Sequence, residues 1–284
     1  MAELLRGAPA ASALCERLSG RILALKEAGV TPRLAIVRVG ERADDLAYEC
    51  GALKRCGALG IAVESVVLSA DCSQEDLIEA IDGVNADASV HGCLLFRPLP
   101  AQLDEEEACE RLAPEKDVDG ITSASLYGVF SHRRVGFAPC TAEAVLALLE
   151  HHGVELSGAC VTVIGRSLVI GRPVSLLLQA ADATVTMCHT RTRDLAASCA
   201  GADVVVVAAG HPGTFGASCA KRTQVVVDVG INWDAERGRL VGDVDAEAVA
   251  PLVRALTPVP GGVGSLTTAV LAKHVVEAAE RTVV

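Results

Sequence analysis

Aromatic side chains are scarce: one tryptophan, two tyrosines and four phenylalanines make up 2% of the 284 residues. Positive charge is also in short supply, leaving a net charge of −11. Nucleic-acid binding needs a basic footprint and rings that stack on bases, so the two shortages together exclude that class of partner. No apolar run approaches the roughly 18 residues of a membrane span, which excludes a membrane partner of that kind. Eleven cysteines are an odd number, with neither C-x-x-C nor a Cys/His metal spacing. Disulfide frameworks belong to small secreted domains, so these read as buried thiols in a reducing cytoplasm, with no metal site. Internal repeats, low-complexity tracts and long charge blocks are absent. The opening segment MAELLRGAPAASALCERL lacks a signal-peptide layout and reads as an amphipathic helix bearing Leu4, Leu5, Ala11, Leu14 and Leu18.

What the chain does have is alternation, within a composition that is 51% hydrophobic. Apolar strand-like runs at 33–39, 62–68, 90–96, 160–165, 183–189, 202–210 and 223–231 are separated by segments of helical period. Near-continuous apolar strands divided by helices predict an α/β fold with a parallel sheet covered on both faces. A helix over 141–153 ends in glycine, a usual residue just past a helix terminus, and a strand, a glycine-bearing turn and a second helix follow it. Residues 140–264 therefore read as a Rossmann-like dinucleotide-binding domain. Residues 1–139 read as a separate α/β domain, to which a last helix in 265–284 returns.

In VIGRSLVIGRPV, a strand runs into Gly165 and Gly171 opens the next helix, with Arg166 and Ser167 in the turn. Such a turn brings backbone N–H groups at a helix N-terminus close to a pyrophosphate. The middle glycine of G-x-G-x-x-G is missing, so an ordinary strand–turn–helix remains the alternative. The next strand ends in Thr190 and Arg191 with no acidic residue beside them, which points to the 2′-phosphate of NADP rather than to NAD. Solvated loop arginines are the bland reading. Ala209, Gly210, Gly230 and Ile231 stand at strand C-termini, where small residues either admit a cofactor or simply turn the chain. Asp117 and Asp119 share a face in extended chain; one is a recognition carboxylate, or both serve a turn before Gly120. TPVPGGVG (257–264) ends in a helix and either meets a ligand with its backbone or terminates a strand.

Taken together, PRLAIVRVG, Tyr48 with Gly60-Ile61, PLP, PEKDVDG, PCT, VIGRS, DVGIN, GDVD and TPVPGGVG resemble the bifunctional methylenetetrahydrofolate dehydrogenase/cyclohydrolase family, the FolD type, over nearly the whole chain. The resemblance implies a catalytic domain plus a Rossmann-like NADP domain, with a tetrahydrofolate derivative held in the cleft between them. It implies that Tyr48 stacks on the folate, that Asp119 binds the pterin, and that Pro260, Gly261 and Gly262 border the folate. Gly165, Arg166, Ser167 and Ile231 match its dinucleotide contacts, and the family usually forms a homodimer.

Three positions depart from the family's pattern. Where members read S-x-x-Y-x-x-x-K, the serine position is Asp45 and the lysine position is Ala52; the glutamine that partners the lysine is Phe96. Lys54 is no stand-in, because two residues along a helix turn the side chain by about 200°. Ser265-Leu266 also replaces a Pro-Met pair, and Ala142 follows PCT. Oxidation of 5,10-methylenetetrahydrofolate needs positioning above all, whereas the hydrolysis that follows needs a group that moves protons. The expected activity is thus NADP-dependent dehydrogenation, with a weak or lost cyclohydrolase. The alternatives are a bifunctional enzyme with a substitute acid–base group, a member diverged to another ligand, and a non-catalytic folate or nucleotide binder.

Overall fold

Valine supplies much of both sheets. The computed structural model describes residues 2–283. In chain order the elements begin with β1 (Glu3–Leu4), α1 (Gly7–Glu27), β2 (Arg33–Val39), α2 (Ala43–Leu59), β3 (Ala62–Leu68), α3 (Gln74–Ala86) and β4 (Gly92–Leu95). They continue with α4 (Glu105–Arg111), α5 (Ser123–Ser131), α6 (Cys140–His151), β5 (Cys160–Ile164), α7 (Gly171–Ala180), β6 (Thr184–Cys188), α8 (Leu195–Cys199) and β7 (Val204–Val207). Last come β8 (Val225–Asp228), β9 (Asn232–Asp234), β10 (Arg239–Val241), α9 (Ala246–Val249), β11 (Ala255–Leu256) and α10 (Gly264–Glu280).

The chain divides into two units, one of Ala13–Cys140 with Thr268–Val284, the other of Met1–Ser12 with Thr141–Thr267. The first holds a three-stranded parallel sheet in the order β3-β2-β4. Central β2 and β4 are almost wholly buried, while edge β3 has its outer residues partly open. Leu77, Ile81 and Val84 of α3 pack on this sheet with Leu103, Ala108 and Leu112. A capping box starts α3, Ser73 and Asp76 each satisfying the other's backbone N–H.

The second unit holds a six-stranded parallel sheet ordered β1-β11-β8-β7-β5-β6, beside the β9–β10 hairpin. Every residue of β7 and β8 is buried, as expected of strands covered on both faces. Phe215 is fully buried below them, packed with Val205, Val226, Val249 and Leu256.

Two expectations need correction at the N-terminus. The amphipathic helix begins only at Gly7, because Glu3–Leu4 is a strand paired with Ala255–Leu256. For the same reason the first twelve residues go with the dinucleotide unit and not with residues 13–139. Gly7, which opens α1, is tied down within that unit: its N–H donates to the Gly261 carbonyl at 2.9 Å, and a Cβ there would collide with the carbonyl of Gly262. The three crossings between units fall inside α1, α6 and α10, so no loop marks them.

Candidate active site

Helix α2 carries the first group of candidates. Tyr48 is half-buried, and Asp45, Glu49, Ala52 and Cys56 form the helix's buried residues. The helix stops at Gly60, whose φ of 75° is the left-handed conformation a glycine terminates in. Ala52 lies one turn beyond Tyr48 and is completely enclosed, with a methyl group as its whole side chain. Phe96, at the end of β4, sets its ring edge-on to Tyr48 at 5.9 Å and 83°. The structure thus brings together Tyr48 and Phe96, the ring and the glutamine position, in direct contact. Glu49 is engaged elsewhere, accepting from Arg38 at 2.9 Å and Ser65 at 2.6 Å. Asp45 has Arg42 at 3.9 Å, and Arg42 reaches across to donate to the Pro98 carbonyl at 2.8 Å.

The loop 114–121 separates the two aspartates that its sequence left equivalent. Asp117 is fully buried and accepts from the Ile121 and Thr122 N–H groups at 2.9 and 2.8 Å and from the Ser125 hydroxyl at 2.6 Å. It anchors the start of α5, with three of its acceptor sites taken by these donors. Lys116 is structural as well: its ammonium donates to the carbonyls of Val84, Asn85 and Asp87 behind α3. Asp119 takes no part in that anchor. Burial pushes its carboxyl up to about 6, with Asp117 adding to the rise and the Cys140 thiol, Arg97 and His274 opposing it. Gly120 adopts φ 66° and fits against the backbone of Phe137–Pro139, so the PEKDVDG and PCT motifs meet there.

In the second unit, Gly165 and Gly171 close the dinucleotide turn. Gly165 has φ 135°, and a Cβ on it would collide with the carbonyl of Ala208; one on Gly171 would collide with that of Gly165. Ser167 braces the turn from within, its hydroxyl accepting from the N–H groups of Ile170 at 3.1 Å and Gly171 at 3.4 Å. Arg166 is exposed in the turn. The loop after β6 closes on itself through His189 and Thr192, leaving Thr190 and Arg191 exposed. Neither Arg166 nor Arg191 forms an ion pair among the described residues. A glycine cradle that any side chain would fill, with the uncommitted guanidinium groups of Arg166 in the turn and Arg191 after the next strand, fits a phosphorylated dinucleotide.

Ala209 and Gly210 behave differently from the expectation placed on them. Their N–H groups are not open to a cofactor, because both donate to Asp243 Oδ2 at 2.7 Å. Gly230 is small for an internal reason too, since a Cβ there would overlap the Asp243 carboxyl. Ile231 is exposed and lines a cavity of about 270 Å³ together with Leu240 and residues 258–265. Pro260, Gly261 and Gly262 therefore share one cavity with Ile231, joining the loop assigned to folate to a residue assigned to the dinucleotide.

Sequence reasoning missed Asp228 and Asp243. Asp228 is buried and accepts from the N–H groups of Gly230, Asp243 and Val244 at 2.9–3.0 Å; burial pushes its carboxyl up to about 6 despite those bonds. DVGIN and GDVD did carry the signal, an aspartate within two residues of a glycine in each, but the motifs are separated in sequence and nothing local shows that they interlock.

Comparison with known proteins agrees with this arrangement. Residues 5–119 match the family model of the tetrahydrofolate dehydrogenase/cyclohydrolase catalytic domain, and residues 139–283 match its NAD(P)-binding domain. The bifunctional protein FolD of Clostridioides difficile is 48% identical over 97% of this chain and 96% of its own length. The crystal structure of the bifunctional FolD enzyme of Campylobacter jejuni superposes with a TM-score of 0.95 at 35% identity, covering 99% of both chains. The Trypanosoma brucei dehydrogenase–cyclohydrolase, solved with NADP and an inhibitor, gives 0.92 at 34% identity over 99% of this chain and 98% of that one. No helix among the described residues is long and apolar enough to cross a membrane. With both family domains matched in order and near full-length likeness to curated members, the chain belongs to the tetrahydrofolate dehydrogenase/cyclohydrolase family, enzymes of folate-dependent one-carbon chemistry with an NAD(P)-binding domain.

Proposed function

We propose that this chain oxidises 5,10-methylenetetrahydrofolate to 5,10-methenyltetrahydrofolate with NADP⁺, and that its cyclohydrolase step is weak. The observation that carries the second half is the pairing of an enclosed Ala52 with a Phe96 ring packed on Tyr48. A bound nicotinamide supplies the hydride acceptor. The chain's own task in that step is to stack the folate on Tyr48, hold the pterin through Asp119, and keep the methylene carbon in line. Loss of hydride from a carbon flanked by two nitrogens leaves a delocalised cation that needs no proton transfer. Hydrolysis of that cation does need one, since water adds at the carbon and a ring nitrogen must take up a proton. Neither a methyl group nor a phenyl ring can hold that proton.

Arg166 and Arg191 support NADP⁺ over NAD⁺, because exposed guanidinium groups without an acidic neighbour suit a 2′-phosphate. A homodimer is supported by the resemblance and by β6, which ends the larger sheet with Met187 exposed. A cytoplasmic setting is supported by eleven free cysteines. The deciding experiment mixes purified protein, methylenetetrahydrofolate and NADP⁺ and follows the methenyl product. Accumulation of that product is expected; rapid enzymatic consumption would sink the weak-cyclohydrolase reading. A second reading, a bifunctional enzyme in which Asp119 moves the proton, is favoured by the elevation of that carboxyl to about 6. It requires that Asp119→Asn abolish consumption of added methenyl substrate.

A further inference from the structure

We infer that Asp243 is the positioning residue of the dinucleotide site, one buried carboxylate that holds three strand-end loops in a single arrangement. The inference rests on the reading that these loops bind NADP⁺. Asp243 is fully buried, and no described cation pairs with it; its partners are all N–H donors. Oδ2 accepts from Ala209 and Gly210 in the loop after β7, both at 2.7 Å, and Oδ1 accepts from the Asn232 side chain after β8 at 2.9 Å. Asp243 itself follows β10, and its own N–H donates to Asp228 Oδ1 at 2.9 Å. Asp228 also takes the N–H groups of Gly230 and Val244, so the two carboxylates clamp the same loops from opposite ends.

The surrounding glycines show that this lock is built in. A Cβ on Gly230 would overlap the Asp243 carboxyl, and one on Gly242 would overlap that of Asp228. Ile231, between Gly230 and Asn232, is thereby held at the mouth of the cavity that Pro260–Gly262 also line. Ala209 and Gly210 enter the site as shaped backbone, their donors already spent on Asp243. Hydrogen bonds to a charged acceptor are roughly twice as strong as neutral ones. Replacing the carboxylate by an amide keeps the shape, weakens two of the bonds and sets two amide groups against each other at Asn232.

The test compares wild type with Asp243→Asn and, as a milder perturbation, Asn232→Ala. Three quantities are read: the NADP⁺ dissociation constant, the tetrahydrofolate dissociation constant, and hydrogen exchange at the Ala209 and Gly210 amides. In Asp243→Asn, NADP⁺ binding is expected to weaken about tenfold or more, with exchange at both amides accelerated and tetrahydrofolate binding within twofold of wild type. Asn232→Ala should weaken NADP⁺ by only a few fold. Accelerated exchange with unchanged NADP⁺ affinity would overturn the inference, leaving Asp243 a purely structural residue. A parallel loss of tetrahydrofolate affinity would overturn it equally, as a sign of general unfolding. A wild-type chain with protected amides that binds no NADP⁺ would instead refute the cofactor reading, and this inference would fall with it.

Discussion

If the cyclohydrolase step is weak as proposed, supplying the two polar groups of the family pattern should raise it. The perturbation is Ala52→Lys combined with Phe96→Gln. General acid–base help contributes about 10²–10⁴-fold, which at ~1.4 kcal/mol per decade is roughly 3–5 kcal/mol off the barrier to hydrolysis. The structure sets the cost. Phe96 is 8% exposed and loses an edge-on contact with Tyr48 that contributes on the order of 1 kcal/mol, plus part of its apolar burial. Because glutamine keeps much of the side-chain length, the total loss should be about 2 kcal/mol, within what a domain of ordinary stability tolerates. Lysine at an enclosed helical position has to run its stem along apolar neighbours, and its ammonium must find a partner, which is why the glutamine is introduced with it. The assay follows methenyltetrahydrofolate consumption without NADP⁺, alongside the dehydrogenase rate and a thermal melt. The double variant should consume methenyl substrate at least a hundredfold faster than wild type, with dehydrogenase activity within a few fold, and Ala52→Lys alone should gain less. A folded, dehydrogenase-active double variant with no gain would refute the assignment of the proposed deficit to these two positions.

The elevated carboxyls make two further tests depend on pH. If folate is bound by ionised Asp119, its KM should rise as pH falls below about 6, and Asp119→Asn should raise KM and remove that dependence. For stability the sign is the opposite of a salt-bridged acid. Between the usual 3.8 and about 6 the folded state binds more protons than the unfolded one, so Asp119 and Asp228 each reduce stability as pH rises through that window. The Tm of Asp119→Asn should match wild type near pH 4 and exceed it above pH 6, by the equivalent of at most about 3 kcal/mol; equal melting temperatures at pH 7 would contradict it. Arg166→Ala with Arg191→Ala should raise the NADP⁺ KM by about 10–100-fold, the worth of one or two charged hydrogen bonds, and leave the NAD⁺ KM nearly unchanged. Equal losses with both cofactors would remove the 2′-phosphate assignment. Gly165→Ala should displace the turn at a cost of about 1–3 kcal/mol in backbone strain alone and abolish NADP⁺ binding measured by titration.

Much of the architecture was legible along the chain, and for a physical reason. Strands such as VVVV at 204–207 are buried on both faces, so their hydrophobicity is continuous and their neighbours are forced into helical period. The glycines of VIGRSLVIGRPV were legible because their constraint is local, a turn in which Gly171 meets Gly165 six residues away. Ala52 and Phe96 were legible as departures because the motifs around them hold their spacing. That Phe96 touches Tyr48 was not, since the contact joins α2 to the end of β4 across forty-eight positions.

Tertiary structure alone decided which of several equivalent residues does what. Asp117 and Asp119 differ by two positions, yet one accepts from three donors in its own loop and the first turn of α5, and the other has its carboxyl elevated by burial. Lys116, the only cation of PEKDVDG, proved to cap α3. The first twelve residues went to the dinucleotide unit because Glu3–Leu4 pairs with Ala255–Leu256 at the far end of the chain. Asp243 acquired its role only when three loops, after β7, β8 and β10, converged on it. Periodicity and turn chemistry are written within a few residues of one another, so the sequence by itself determined the fold class, the cofactor turn and the missing lysine. Hydrogen-bond satisfaction and desolvation depend on partners brought from anywhere in the chain, so only the folded structure decided which carboxylates, Asp117 and Asp243 among them, hold backbone N–H groups in place.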